Sequence, residues 1–184
     1  MANAKPLPPV DYLRECLGYE PETGELCWKV RPLAHFPSVS YMQRWNNRYA
    51  GVIAGCAIET GYFVVRVGGV NYMAHRLVWV LHHGKDLDAG VEIDHINGVG
   101  ADNRAVNLRL ASVTENSHNA RNKSTTGQRK GVYLLKGTRA RPWNARIRVG
   151  GERRSLGCFR TEAEAHTAYC VAADMFFGEF ANYG

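Results

Sequence analysis

Apolar and polar residues alternate with changing periods along this chain, which predicts several short helices and strands. YFVVRVGGVNYMA holds two alternating runs around Gly68-Gly69, the pattern of a β-hairpin. HRLVWVLHHG has helical spacing and ends at Gly84, a residue type that often terminates helices. VEIDHI and NLRLAS then predict two short strands joined by a long loop, and VTENSHNARN predicts a helix.

The flanking segments are interpreted from the same kinds of pattern. DYLRECLGY, residues 11–19, predicts a short helix, ELCWKV a strand, and residues 31–50 an irregular loop that is a candidate for DNA contact. After a polar linker, KGVYLL, WNARIRV and RRSLGCF predict a three-stranded meander. A final helix begins at Thr161, where Glu164 completes a capping box. Its apolar stripe, Ala165, Ala168, Tyr169, Ala172, Ala173 and Phe176, is expected to pack against the sheet.

Charge is distributed unevenly between the two ends of the chain. The net charge is +6, yet residues 1–122 hold 12 basic and 12 acidic residues. Between residues 123 and 160 there are 11 basic residues against Glu152 alone. Such a local excess, with aromatic residues and strands interleaved, favours a surface that binds nucleic acid. A solvated basic surface without a ligand is the alternative.

Cysteine usage and the terminal sequence exclude several classes of protein. The five cysteines are an odd number and form no CxxC pair, which argues against a disulfide framework and a clustered zinc site. The first ten residues lack the features of a signal peptide, and no apolar run is long enough to cross a membrane. We therefore predict a cytoplasmic protein with no membrane partner.

The stretch EIDHINGVGADNRAVNL combines residue types that phosphodiester hydrolysis requires. A histidine at a strand end can take a proton from water if an amide or carbonyl holds its other ring nitrogen. Adjacent strand residues point to opposite faces, so Asp94 and His95 can serve one site only where the strand becomes irregular. The turn-rich NGVGADN follows at once. A second oxygen ligand from a helix would complete a site for a hard cation.

Asp94, His95, Asn107 and Asn116 follow one another in an order that carries a family resemblance. DHINGVGADNRAVNLRLASVTENSHN closely resembles the HNH nucleases, specifically their phage and homing-endonuclease branch. The resemblance implies a ββα-metal (His-Me finger) unit in which His95 is the general base and Asn107 orients it. Asp94 and Asn116 would hold one Mg²⁺ or Mn²⁺, and no zinc is expected. Asn116 stands where the family name has a histidine, and nearby Asn119 is an alternative ligand.

Four further residues near this motif are candidates for phosphate contact or for structural support. His75 and Arg76 lie at the start of the predicted helix, where either phosphate binding or bracing of the core is possible. Arg104 and Arg109 could each meet a phosphate. Of these, Arg76 and Arg104 are our predicted DNA contacts in this part of the chain.

Residues 129–184 resemble the AP2 DNA-binding domain of plant transcription factors. The matching elements are Gly131-Val132, Arg141-Pro142-Trp143, Ala145-Arg146-Ile147-Arg148, Leu156-Gly157-x-Phe159 and the alanine-rich helix. The resemblance implies a three-stranded antiparallel sheet packed on one helix, with the free face of the sheet in the DNA major groove. The DNA contacts it implies are Lys130, Trp143, Arg146, Arg148 and Arg153. Trp143 could instead simply cover the sheet.

These observations predict an α+β protein with four segments. They are an N-terminal accessory region with a hairpin (1–69), an HNH unit (70–122), a linker (123–128) and an AP2-like domain (129–184). The predicted function is metal-dependent cleavage, by nicking, of double-stranded DNA by a monomer or weak homodimer, in the host cytoplasm if the gene is a phage gene. The alternative is a non-cleaving DNA-binding regulator or anti-host factor that keeps the HNH fold as a scaffold.

Overall fold

The computed structural model describes residues 5–88, 90–119 and 128–184, which form a mixed α/β structure of helices and small antiparallel sheets. The helices are α1 (Val10–Cys16), α2 (Val39–Tyr49), α3 (Ala74–His83), α4 (Val113–Asn119) and α5 (Glu162–Phe177). The strands are β1 (Leu17–Glu20), β2 (Glu25–Trp28), β3 (Cys56–Ala57), β4 (Phe63–Val67), β5 (Val70–Met73), β6 (Glu92–His95), β7 (Leu108–Ala111), β8 (Val132–Leu134), β9 (Trp143–Val149) and β10 (Glu152–Phe159). Over these described stretches, every helix is too short or too polar to cross a bilayer.

The chain divides into two compact units, Met1–Val113 and Thr114–Gly184. The first unit contains the β1–β2 hairpin, the sheet β3–β4–β5 and the antiparallel pair β6–β7. One hydrophobic core joins them, and it contains Leu77 of α3, Ile93 of β6 and Leu108 of β7. The two strands of the DH motif therefore share a core with the N-terminal region.

The hairpin and helix predicted before the motif are present. Strands β4 and β5 pair up to Val67↔Val70, and both turn residues have positive φ, 56° at Gly68 and 83° at Gly69. Two consecutive positive φ angles match the twist of a two-residue hairpin turn, and glycine adopts them without strain. Helix α3 ends at Gly84, whose N–H donates to the carbonyl of Val80.

Two N-terminal predictions differ from the structure. The helix predicted over residues 11–19 ends at Cys16, because Leu17–Glu20 pair with β2 as a strand. The segment 31–50, predicted as a loop, contains α2, which begins after Ser38 as its N-cap. Helix α2 has no fully buried residue and packs through the aromatic rings of Trp45 and Tyr49, so it lacks the aliphatic periodicity that signals a helix.

The second unit contains most of α4, the antiparallel sheet β8–β9–β10 and α5. Ile147 of β9 packs with Tyr169, Ala172 and Ala173 of α5. The predicted capping box at Thr161 and Glu164 is present. Phe176, expected on the packed stripe, is instead 46% exposed. Residues 123–127 of the predicted linker lie outside the described residues.

Candidate active site

His95 is the last residue of β6, and its position is fixed by the pairing of β6 with β7. Asp94 lies opposite Arg109, and His95 lies opposite Leu108. The preceding Ile93 is anchored in the hydrophobic core, as is Leu108. Because side chains alternate along a strand, Asp94 and His95 start toward opposite faces of this two-stranded sheet.

His95 is only 4% exposed, and its ring has Asn103, His75 and Tyr62 among its neighbours. Its Nε2 lies 3.2 Å from Oδ1 of Asn103. The rings of His75 and Tyr62 lie 5.0 and 5.7 Å away between centroids. Burial lowers the pKa of His95 below its ordinary value of 6.5. At neutral pH the ring is therefore neutral and able to accept a proton.

The loop after β6 must pass close to the ring of Tyr62, which explains a glycine in the motif. A Cβ added at Gly100 would lie 2.8 Å from two carbons of that ring. Any larger residue would push Tyr62 away from His95 and His75. The motif thus needs Gly100 for this close approach.

Asn107 was predicted to orient His95, but its side chain is engaged elsewhere. Its Oδ1 accepts from the backbone N–H of Asn97, and its Nδ2 donates to Oδ1 of Asn97 and to the carbonyl of Asp102. These bonds hold the loop 97–107 in shape. The amide that contacts the histidine ring is that of Asn103.

Asp94 is paired with Arg109, the residue opposite it in the strand ladder. Nε and Nη2 of Arg109 lie 2.9 and 2.8 Å from the same oxygen, Oδ2 of Asp94. The side chains are 5% exposed for Asp94 and 12% for Arg109, so this is a largely buried ion pair. Antiparallel register brings the two together, whereas the sequence only indicated Arg109 as a possible phosphate contact.

The second predicted metal ligand, Asn116, lies on α4 in the other compact unit. Its side chain is partly buried. Joint ligation of one cation by Asp94 and Asn116 therefore stays a prediction. Asn119, the alternative ligand, is buried, and its side-chain and backbone oxygens accept from Nδ2 of Asn182.

The two arginines predicted to contact DNA in this unit differ in their surroundings. Arg104 is exposed and forks both oxygens of Asp102 at 2.8 and 2.7 Å, which lowers the pKa of Asp102 to about 2. Arg76 is half-buried, and burial lowers the pKa of its guanidinium. Within the described chain, Nε of Arg76 is a buried donor without a hydrogen-bond partner. A phosphate oxygen is one group that could satisfy it.

The N-terminal β1–β2 hairpin supports the loop of the motif, a role that the sequence did not indicate. The hydroxyl of Tyr19 accepts from the backbone N–H of Ala105 at 2.8 Å. A Cβ on Gly24, in the hairpin turn, would lie 2.5 Å from the backbone nitrogen of Arg104. The turn and the loop are thus in direct backbone contact, which only glycine permits.

The sheet of the second unit presents arginines on one face, as the alternation of β9 predicts. Arg146 and Arg148 are exposed, while Ala145 and Ile147 between them are buried. Arg153 of β10 lies opposite Arg148 in the register. These three arginines and Tyr133 line a groove of about 300 Å³. The guanidinium of Arg146 also lies over the ring of Tyr133 at 5.3 Å.

Two residues predicted to contact DNA in this unit have structural partners. Trp143 has the same strand parity as Ala145, and it packs in a hydrophobic cluster with Ala145 and Ala165 on the helix-facing side of the sheet. Trp143 therefore covers the sheet and does not share the arginine face. Lys130 is half-buried and donates to the carbonyl of His118, and burial lowers its pKa to about 8.

The buried His75, which contacts His95 and Tyr62, makes the stability of the chain depend on pH. Burial, then the nearby His95, lowers the pKa of His75 to about 3, and its Nδ1 is a buried atom without a hydrogen-bond partner among the described residues. The unfolded chain binds this proton below pH 6.5, so acid favours unfolding between about pH 6.5 and 3. We expect the free energy of unfolding to fall from pH 7 to pH 4 by about 3 kcal/mol more in the native chain than in His75→Leu. Urea denaturation measures this, and equal pH slopes would contradict it.

Comparison with known proteins relates the central part of the chain to a family of nucleases. The family described as HNH endonuclease matches residues 72–118, which span β5 to α4. A relative from Acanthamoeba polyphaga mimivirus, named an uncharacterized HNH endonuclease, is 31% identical over 107 residues, or 58% of this chain. The chain spans about half of that relative, 54% of its length. No solved structure gives a significant match. The chain thus carries an HNH endonuclease domain at residues 72–118.

Proposed function

We propose that this protein is a metal-dependent endonuclease that nicks double-stranded DNA, with His95 as the general base. The observation that carries the proposal is the buried His95 at the end of β6, with Asn103 at its ring and Asp94 beside it in sequence. These residues lie within the matched HNH region. The name of the mimiviral relative also suggests a nuclease.

The contact with Asn103 selects which ring nitrogen of His95 acts as the base. Oδ1 of an amide only accepts hydrogen bonds, so the proton of the neutral ring belongs on Nε2, which lies 3.2 Å away. The lone pair is then on Nδ1, the atom that would take the proton from water. Asn103 is thus a positioning residue, and Asn107 positions the loop that carries it.

The donor set suits a hard divalent cation such as Mg²⁺ or Mn²⁺. Asp94 offers a carboxylate and Asn116 a carboxamide oxygen, and two protein ligands leave room for water and phosphate. Arg109 already neutralises Oδ2 of Asp94, so it must share or release that carboxylate when a cation binds. When bound, the cation would stabilise the negative charge that develops on the phosphate.

The arginine face of the second unit is the proposed DNA-targeting surface, in keeping with the AP2 resemblance. Arg146 and Arg148 project from one face of β9, with Arg153 beside them on β10. Lys130 would add charge at the edge of this groove below about pH 8, where it is protonated. Several phosphate contacts of this kind would make binding fall steeply with salt. Arg76 and Arg104 are the proposed contacts nearer to His95.

The Asp94–Arg109 pair also favours a second candidate function. The guanidinium of Arg109 already neutralises the carboxylate of Asp94, so Asp94 needs no cation. A scaffold that does not cleave DNA would retain such a pair. In that case the chain would be a DNA-binding regulator. His95 and Asn103 argue against this candidate, because a scaffold has no need for a buried, neutral, oriented histidine.

Nicking of supercoiled plasmid separates the two candidates. We expect conversion of supercoiled to open-circular DNA with Mg²⁺ or Mn²⁺, and none with EDTA. A monomer with one site should give open circles before linear DNA. If the chain shifts duplex DNA in a gel but never cuts plasmid, viral or host DNA with either cation, the endonuclease proposal fails and the regulator stands.

A further inference from the structure

A pocket in the first unit, distinct in its residues from the His95 cluster, combines aromatic rings with two arginines. Its volume is about 710 Å³, within the range of small-ligand sites. Trp28 of β2 and Trp45 and Tyr49 of α2 supply the rings. The buried Arg31 and the exposed Arg66 of β4 also line the pocket.

The aromatic rings are tilted against one another and do not stack in parallel. The rings of Trp28 and Trp45 meet edge to face at 86°, with centroids 5.2 Å apart. Trp45 and Tyr49 meet at 44° over the same distance. The guanidinium of Arg31 lies over the ring of Trp45, 4.9 Å from its centroid. Trp28, Trp45 and Tyr49 are each partly exposed, which leaves ring surface for a flat ligand.

Arg31 is a buried cation for which the described part of the chain supplies no carboxylate partner. Arg31 is 8% exposed. Its guanidinium donates to Nδ1 of His35 and to the hydroxyl of Tyr12. The nearest acid in this network, Glu15, is bonded to the other nitrogen of His35. A buried guanidinium with neutral partners alone is costly, and an anionic ligand would lower that cost.

Arg66 adds a second positive charge to the lining of the pocket. Arg66 lies opposite Asn71 in the hairpin register, and both line the pocket. None of the residues that line it is acidic. The pocket therefore favours a ligand with one planar ring and one negative group.

We propose that this pocket binds one unstacked nucleotide of a nucleic acid strand, with the base on the Trp28–Trp45–Tyr49 rings and the phosphate at Arg31 and Arg66. That the nucleotide belongs to a strand, and is not free, rests on the proposed nuclease function. The recognition of a base and a phosphate rests on the pocket residues alone. Base stacking on aromatic residues contributes roughly 1–3 kcal/mol per base and tolerates any base. Such a site would hold a displaced or frayed strand near the nuclease domain.

Binding of a fluorescein-labelled oligothymidylate, followed by anisotropy in EDTA, tests the pocket without requiring cleavage. We expect Trp45→Ala to weaken single-strand binding by about 5- to 150-fold, the loss of one stacked base. Arg66→Ala, an exposed residue whose loss should leave the fold intact, is expected to weaken it several-fold. Neither variant should change the affinity for a blunt duplex of equal length by more than about twofold.

Arg44→Ala is the matched control, because Arg44 is an exposed arginine of α2 that does not line the pocket. It should leave single-strand binding unchanged. Competition with free thymidylate distinguishes a strand from a free nucleotide as the ligand. If thymidylate displaces the oligomer with the same affinity as the unlabelled oligomer, the pocket is a free-nucleotide site and the strand proposal is overturned. Absence of single-strand binding, or equal loss in Arg44→Ala and Arg66→Ala, would also overturn it. Cleavage can fail while this binding succeeds, and the reverse, so the two proposals are tested separately.

Discussion

Replacing His95 with alanine is expected to lower the rate of plasmid nicking by about 10²- to 10⁴-fold, the usual contribution of a general base. Its ring is a buried, neutral base that an acceptor holds at its other nitrogen. The measurement is the single-turnover rate of supercoiled DNA loss in Mg²⁺. Affinity for the same duplex, from gel shifts in EDTA, should change by less than about twofold, because the ring is too buried to contribute to initial binding.

Removing a buried side chain can also unfold a protein, so a control is needed. His83→Ala removes an exposed histidine from the end of α3 and should leave the nicking rate unchanged. The urea midpoint of His95→Ala shows whether the domain is folded at the assay temperature. A folded His95→Ala protein that nicks at the native rate would remove His95 from the chemistry. Loss of duplex binding together with cleavage would show a structural role instead.

Much of the fold could be predicted because its signals are local. A glycine pair between alternating runs predicts the β4–β5 hairpin, and Thr161 with Glu164 marks the start of α5. Helix α2 could not be predicted this way, because its stability comes from aromatic contacts with residues distant in sequence, such as Trp28. Strand β1 was missed because its pairing with β2 overrides the helical pattern of the preceding residues.

The candidate site shows the same division between local and non-local information. Asp94, His95 and the asparagines are adjacent or regularly ordered, so the sequence indicates them. Which asparagine meets His95 depends on how the loop folds, and Asn103 holds the place predicted for Asn107. The position of Trp143 was predictable from the alternation of β9, since it shares strand parity with the apolar Ala145 and Ile147.

The pairing of Asp94 with Arg109 is a second non-local feature, and it makes a strong prediction about stability. Arg109→Met would remove this guanidinium from the buried carboxylate of Asp94, and removing one member of a buried ion pair typically costs about 3–5 kcal/mol. We therefore expect the free energy of unfolding, from urea titrations in EDTA, to fall by about that amount. Methionine keeps most of the apolar stem, so the loss reports mainly on the charge.

The exposed Asp102–Arg104 pair provides the control within the same motif. Its arginine side chain is 47% exposed, and pairs of this kind contribute about 0–1 kcal/mol. Arg104→Met should therefore cost far less than Arg109→Met. Equal losses for the two variants would contradict the assignment of Asp94–Arg109 as a buried pair that supports the strands.

The same variant also tests whether Asp94 can hold a cation. A cation that binds only the folded chain stabilises it by an amount that grows with the ratio of its concentration to its dissociation constant. In Arg109→Met the carboxylate has lost its competing guanidinium, so Mg²⁺ should raise the free energy of unfolding more in this variant than in the native chain. The double variant Asp94→Asn/Arg109→Met should lose that response. If Mg²⁺ stabilises all three proteins equally, Asp94 is not the ligand.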